Sequence, residues 1–192
     1  AGLATGLTVT GQGEARLDDL SRIADLAGQP LAGRAVAQLS GEGALLAGSF
    51  DVTGRVQGTD LRAGIAEVDN LLSGASTIDL SLRRDETGTL LRQLDVVANS
   101  LTAKASGSLA SNGSDIRADL AFTDLAALGG AYRGALTGTA RFTGTPEAGT
   151  ATLDARGNAL AIGVPEVDQL LRGDSVISLE AGLAGDQVEG VL

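Results

Sequence analysis

SLTAKASGSLASNGSDIRADLAF, residues 100 to 122, decides the fold. Leu101, Ala103, Ala105, Gly107 and Leu109 alternate without a break with Ser100, Thr102, Lys104, Ser106 and Ser108. A period of two marks a strand with one apolar and one wet face. SNGS at 111 to 114 is turn chemistry, and beyond it Ile116, Ala118, Leu120 and Phe122 alternate with Asp115, Arg117, Asp119 and Thr123. The stretch therefore predicts an antiparallel hairpin. Asn112 to Ser114 also matches a glycosylation acceptor, but a hairpin turn is the better reading.

The same period extends outward in both directions. Upstream, Phe50, Val52, Gly54 and Val56 oppose Ser49, Asp51, Thr53, Arg55 and Gln57, and Leu61, Ala63 and Ile65 are expected to continue that strand. Residues 3 to 17 read as a strand, and the alternation from Gly33 is expected to break at GEG, 41 to 43. Ile78, Leu80 and Leu82 oppose Asp79, Ser81 and Arg83 before the turn DETG at 85 to 88. On the return strand Leu90, Leu94 and Val96 share one phase, while Leu91 and Val97 blur it. Downstream, Leu136, Ala140 and Phe142 follow Tyr132, TPEAG turns, and Leu153 lies between Ala151 and Ala155. Ile177, Leu179, Ala181 and Leu183 form a further strand, and GDQ at 185 to 187 a last turn.

Helical spacing interrupts this pattern at recurring places. DDLSRIADLA, 18 to 27, predicts a short helix that Asp18 or Asp19 caps and Gly28 with Pro30 stops. TDLAALGG at 123 to 130 repeats the idea, with Asp124 as the cap. EVDNLLSG at 67 to 74 returns as EVDQLLRG at 166 to 173, and 12 of the 23 positions from 58 to 80 match those from 157 to 179. Val68, Leu71 and Leu72 give this helix a narrow apolar stripe, and Gly74 or Gly173 is expected to end it with a left-handed cap. A helix so short must lean on the sheet. Acidic residues in its first turn suit the helix dipole. A long-period echo of this kind is the signature of a stacked array, and residues 1 to 192 read as one elongated repeat-built segment of a longer protein.

Composition narrows the function. The chain has no Cys, His, Met or Trp, three Phe and one Tyr, but 28 Gly. Compact cores usually draw on aromatic side chains that each bury roughly 150 to 250 Å²; here the apolar surface must be spread as small aliphatics over a sheet face. A net charge of −10 is opposite to that of a nucleic-acid binder, and it disfavours docking on an anionic membrane. Without His or Cys the usual general base, thiol nucleophile and soft metal ligands are missing, so the chain reads as no enzyme, with no metal and no cofactor. Asp95, Asp115, Asp119 and Asp154 fall on the polar phase of strands and read as a solvated face. GQG at 11 to 13 lacks the third glycine and the context of a dinucleotide site.

A sheet with one apolar face needs a cover: a facing sheet, flanking helices or a hydrophobic ligand. The helices are too few to roof about ten strands that span on the order of 45 Å. Small inward residues would pack a second sheet loosely and leave room for an acyl chain, which gains about 0.8 kcal/mol per buried methylene. The expected fold is mainly β, an elongated, curved, largely antiparallel sheet with a few short helices. Alternation alone selects Phe50, Val52, Val56, Ile78, Leu80, Leu82, Leu101, Leu109, Ile116, Leu120, Phe122, Leu136, Phe142, Leu153, Ile177 and Leu179 as lipid-groove candidates.

DLSRIADLAGQPLAGRAVAQLSGEG at 19 to 43, GTDLRAGIAEVDNLLSG at 58 to 74 and TDLAALGGAYRGALTGTARFTG at 123 to 144 resemble the long periplasmic part of the TamB family of AsmA-like proteins from Gram-negative bacteria. The resemblance implies a β-taco, a sheet folded into a U-shaped groove with a hydrophobic interior, in a periplasmic protein anchored in the inner membrane outside this segment. It further implies phospholipid acyl chains as cargo, a role in outer-membrane protein assembly, and a barrel partner, TamA, bound through other regions. The rival expectation is a structural or interaction module, a stalk or a guide for unfolded outer-membrane strands, whose free edge accepts a β-strand.

Overall fold

A computed structural model describes residues 8–44, 47–145, 148–184 and 187–191. Eleven strands form one sheet in which every strand pairs antiparallel with its neighbours in sequence: β1 Thr8–Leu17, β2 Ala32–Ala44, β3 Ser49–Arg62, β4 Ala75–Asp85, β5 Gly88–Val97, β6 Leu101–Leu109, β7 Ser114–Phe122, β8 Arg133–Gly144, β9 Ala148–Ala161, β10 Asp174–Ala184 and β11 Gln187–Val191. The sheet is open, with β1 and β11 as its edges. Ten ladder steps of about 4.8 Å make it roughly 48 Å wide.

This is a single layer. The chain exposes 12395 Å², against roughly 8,400 Å² for a compact monomer of its mass. No large side chain is fully buried among the described residues. Much of the little core there is lies under the connectors at one end of the sheet, where Leu61, Leu71, Leu125 and Leu160 are buried; Ala35, Leu91 and Ala155 are buried within the strands.

In an antiparallel meander the connectors after odd strands share one end, and here that end carries the helices. A 3₁₀ turn, Leu20–Ile23, and α1, Ala24–Ala27, join β1 to β2; α2, Ala66–Leu71, joins β3 to β4; a second 3₁₀ turn, Leu125–Leu128, joins β7 to β8; α3, Pro165–Leu170, joins β9 to β10. These connectors touch in series. Pro30 fills the space beside Gly64 that a Cβ would need, Ala131 stands 3.0 Å from where a Cβ on Gly163 would lie, and α2 packs against the turn at Leu125–Leu128.

The echo read from sequence becomes a six-strand repeat, in which β2, β3, α2 and β4 recur as β8, β9, α3 and β10. Asp60 and Ala159 both adopt positive φ, 53° and 52°. Their N–H groups bond Gly74 O at 2.9 Å and Gly173 O at 2.8 Å. Leu61 then folds back over Gly58, and Leu160 over Gly157, so closely that a Cβ on either glycine would force the leucine to move. Asp69 Oδ1 accepts from Ala63 N at 2.7 Å and Asp168 Oδ1 from Ile162 N at 2.7 Å. The aspartate of the EVD motif thus ties the helix to the connector that precedes it, a more specific role than complementing the helix dipole.

Several expectations change. The helix over Asp18–Ala27 is a 3₁₀ turn followed by a single α turn, because Asp19 Oδ1 accepts from Ser21 N at 2.9 Å and Ile23 leaves helical geometry at φ −113°, ψ 5°. Asp124 caps the second DL turn in the same way, from Ala126 N at 2.9 Å. GEG does not break its strand; Gly41 and Gly43 lie opposite Val52 and Phe50 within β2, and at Gly41 a Cβ would strike Asp51 O and crowd Val52. Ala63 and Ile65 leave β3, which the kink at Asp60 ends at Arg62. The EVD helices close at Leu72 and Leu171 with negative φ, and the left-handed glycines, Gly74 and Gly173, come two residues later, where the chain turns into the next strand. Residues 3–7 of the first expected strand and parts of the TPEAG and GDQ turns, 146–147 and 185–186, lie outside the described residues.

Candidate functional site: an uncovered apolar face

Register across all the ladders places every one of the sixteen groove candidates on one face. Partners in a ladder point to the same side, and alternate residues of a strand return to it. One row crosses the sheet from β1 to β10 as Gly13, Leu39, Gly54, Leu80, Leu94, Ala105, Ala118, Ala140, Leu153 and Leu179. The row on one side of it runs through Val52, Leu82, Ile116 and Phe142, and the row on the other through Val56, Ile78, Leu120 and Ile177. No polar side chain interrupts any of the three between β1 and β10. Phe50, Leu101, Leu109, Phe122 and Leu136 extend the face toward its two ends.

The blurred phase of β5 is explained by its bulge. Register shifts between Leu91 and Leu94, so Leu91, Leu94 and Val96 join the apolar face while Leu90 and Val97 point to the other. Sequence alternation alone missed Leu91, the only residue of β5 that is buried. Its signal was the odd run of adjacent leucines at 90 and 91.

Among the described residues the face has no cover. Fifteen of the sixteen candidates are half-buried and Leu109 is exposed. The rows span about 43 Å by about 14 Å at ordinary strand and residue spacing, a patch of the size that marks a binding surface on other proteins. Gly and Ala alternate with Leu, Ile, Val and Phe along it, so the surface is corrugated on the scale of a methylene chain.

The opposite face is charged and internally paired. Arg55 grips Asp79 through two bonds of 2.6 and 3.0 Å, Arg141 grips Asp115 through 2.9 and 2.7 Å, and Arg92 reaches across β4 to Asp51. Ser178 donates to Asp154 and Thr139 to Asp119, at 2.8 and 2.9 Å. A broad hollow over β1 to β5 is lined by Gln12, Glu14, Gln38, Arg55, Asp79 and Asp95. Within it Arg55 pairs with Asp79, Arg16 and Gln38 donate to Glu14, and Gln93 donates to Asp95. Among the described residues no group of three or more acidic, His or Cys side chains is placed to hold a metal, and no helix is long and apolar enough to cross a membrane.

No protein-family model, curated protein or solved structure matches this chain. What it binds has to be read from the face itself.

The paired carboxylates give a pH test. Arginine hydrogen bonds hold Asp51, Asp79 and Asp115 below their ordinary value of 3.8. A carboxylate lowered in the folded state stabilises above its unfolded pKa, and that contribution is lost as pH falls through the folded value. Stability is therefore expected to be level above about pH 5 and to drop as the pH falls below about 4, with the loss smaller in high salt because the pairs are exposed. Denaturation midpoints from about pH 6 to about pH 2.5 measure it. A midpoint that does not move between about pH 5 and about pH 3 would show that the arginine–aspartate pairs contribute nothing.

Proposed function

We propose that this protein binds lipid acyl chains along its apolar face and passes them along the sheet, as a non-catalytic periplasmic segment of a TamB-like bridge between two membranes. One observation carries the reading: three adjacent rows cross the sheet without a polar side chain, and nothing among the described residues covers them. A second layer of protein would be expected to bring large complementary side chains, yet the rows hold mostly Gly, Ala and medium aliphatics. Acyl chains adapt to such a corrugated floor at about 0.8 kcal/mol per methylene buried. The phospholipid headgroup would stay at the rim, beyond the open ends of the strands. Phospholipid as cargo, the inner-membrane anchor and an outer-membrane barrel partner such as TamA rest on the resemblance.

Photo-crosslinking side chains at Leu101, Leu120 and Phe142 should capture phospholipid in the native envelope, and the same groups at Thr102 and Arg117 should not. Equal capture from the two faces would dispose of the proposal.

The free edge β1 favours a second reading. All of Thr8 to Arg16 is exposed, and among the described residues no strand lies on its outer side, which suits β-strand addition by an unfolded chain. In that case the crosslinks at the edge would carry peptide and those on the face would carry nothing.

A further inference from the structure

Leu71 and Leu170 hold the same place in the repeat, 99 residues apart. Leu71 is 9% exposed and Leu170 82%. The surrounding backbone does not explain this, since both helices span six residues and have the same aspartate tie to the connector before them. Both preceding leucines, Leu61 and Leu160, are buried. What differs is the cover. α2 is packed by the 3₁₀ turn Leu125–Leu128, whose own Leu125 is 9% exposed, whereas no such turn lies on α3 among the described residues. Ile162, on the connector that leads into α3, is also exposed, at 42%, where its counterpart Ala63 is half-buried.

α3 is thus one half of an interface whose other half is seen elsewhere in the molecule. We propose that α3 is a docking surface for a partner segment of polypeptide that presents an antiparallel strand pair ending in an Asp-capped leucine turn, the plan of Ser100 to Gly129. The strands of that partner would extend the sheet at β11, as β6 follows β5, and its leucine turn would cover Leu170 as the turn with the buried Leu125 packs on α2. A second copy of this chain does not fit as well. Four strands, β4 to β7, separate α2 from the turn that packs on it. Only β10, β11 and the copy's β1 would separate α3 from the copy's turn at Leu20, one strand too few. The occupant therefore has to bring the missing strand as well as the turn.

Absence of cysteine makes the test direct. A single thiol is introduced by Leu170→Cys, with Val9→Cys on the far edge as reference. Its labelling rate is followed in the full chain as a synthetic peptide of residues 100–132 is added, and again with that peptide appended to the chain through a Gly-Ser linker, so that the result does not depend on a free peptide folding alone. Labelling at 170 is expected to slow at least tenfold in both formats and at 9 not at all; Leu125→Asp in the peptide is expected to abolish the protection. Unchanged labelling at 170 in the appended format overturns the proposal, as does protection that survives Leu125→Asp. Concentration-dependent protection of the thiol at position 170 without any peptide would overturn it in favour of a second copy.

Discussion

Gly134→Ala, and Gly33→Ala in the first repeat, should each lower stability by about 3 kcal/mol, close to the limit that a thin sheet tolerates. Gly33 has φ 99° and Gly134 φ 94°. Each sits opposite the kink at which β3 or β9 turns toward its helix, and the ladder shifts register there. A Cβ on Gly134 would lie 2.5 Å from Ala159 O and 2.6 Å from Asn158 O; on Gly33 it would strike Asp60 O. These are backbone atoms, held by the bond from Ala159 N to Gly173 O or from Asp60 N to Gly74 O, so no side chain can swing aside. Left-handed strain contributes roughly 1–2 kcal/mol and overpacking roughly 1–3. Gly48→Ala is the control, since φ there is 62° but nothing lies within 4 Å of the added methyl; only the strain of about 1 kcal/mol remains. Urea denaturation of the three variants measures the order. If Gly134→Ala costs no more than Gly48→Ala, the two kinks are not the fixed points of the repeat.

Those kinks show where the sequence was readable and where it was not. Strand pairing and facing followed from period two because each strand has a single apolar phase, and a slip of one residue would expose it. The candidates from Phe50 to Leu179 were therefore legible one strand at a time and met on one face without adjustment. Positions that depend on a bulge were not legible. Asp60 and Ala159 carry no residue-type signal for positive φ in common, so the end of β3 at Arg62 and the fold-back of Leu61 could not be seen from spacing. Leu91 was hidden for the same reason, since a bulge exchanges the faces beyond it. The glycines at 41 and 43 misled in the other direction: glycine signals a break when read locally, but here both pair within the ladder, and Gly41 gives room to the backbone at Asp51 and Val52 across it. Buried status was legible least of all. Leu71 and Leu170 are the same residue in the same motif, and only a turn more than fifty positions from Leu71 distinguishes them.

Leu120→Arg should cut acyl-chain loading at least tenfold while changing the denaturation midpoint little. Leu120 stands in the row between Ala103 on β6 and Gly138 on β8. It is half-buried, so an arginine can lay its stem over those two small neighbours and keep its charge in water when the face is empty. A bound acyl chain removes that water. Each displaced methylene forfeits about 0.8 kcal/mol, and the guanidinium must be desolvated besides; two methylenes lost already exceed the roughly 1.4 kcal/mol that a tenfold change requires. Arg117→Leu, on the opposite face, should leave loading unchanged. Protein equilibrated with a fluorescent phospholipid and weighed by native mass spectrometry reports loading directly, and a urea titration of the same samples reports folding. Two results would return the face to ordinary sheet core: equal loading in Leu120→Arg and the parent chain, or a loss of loading matched by loss of the fold.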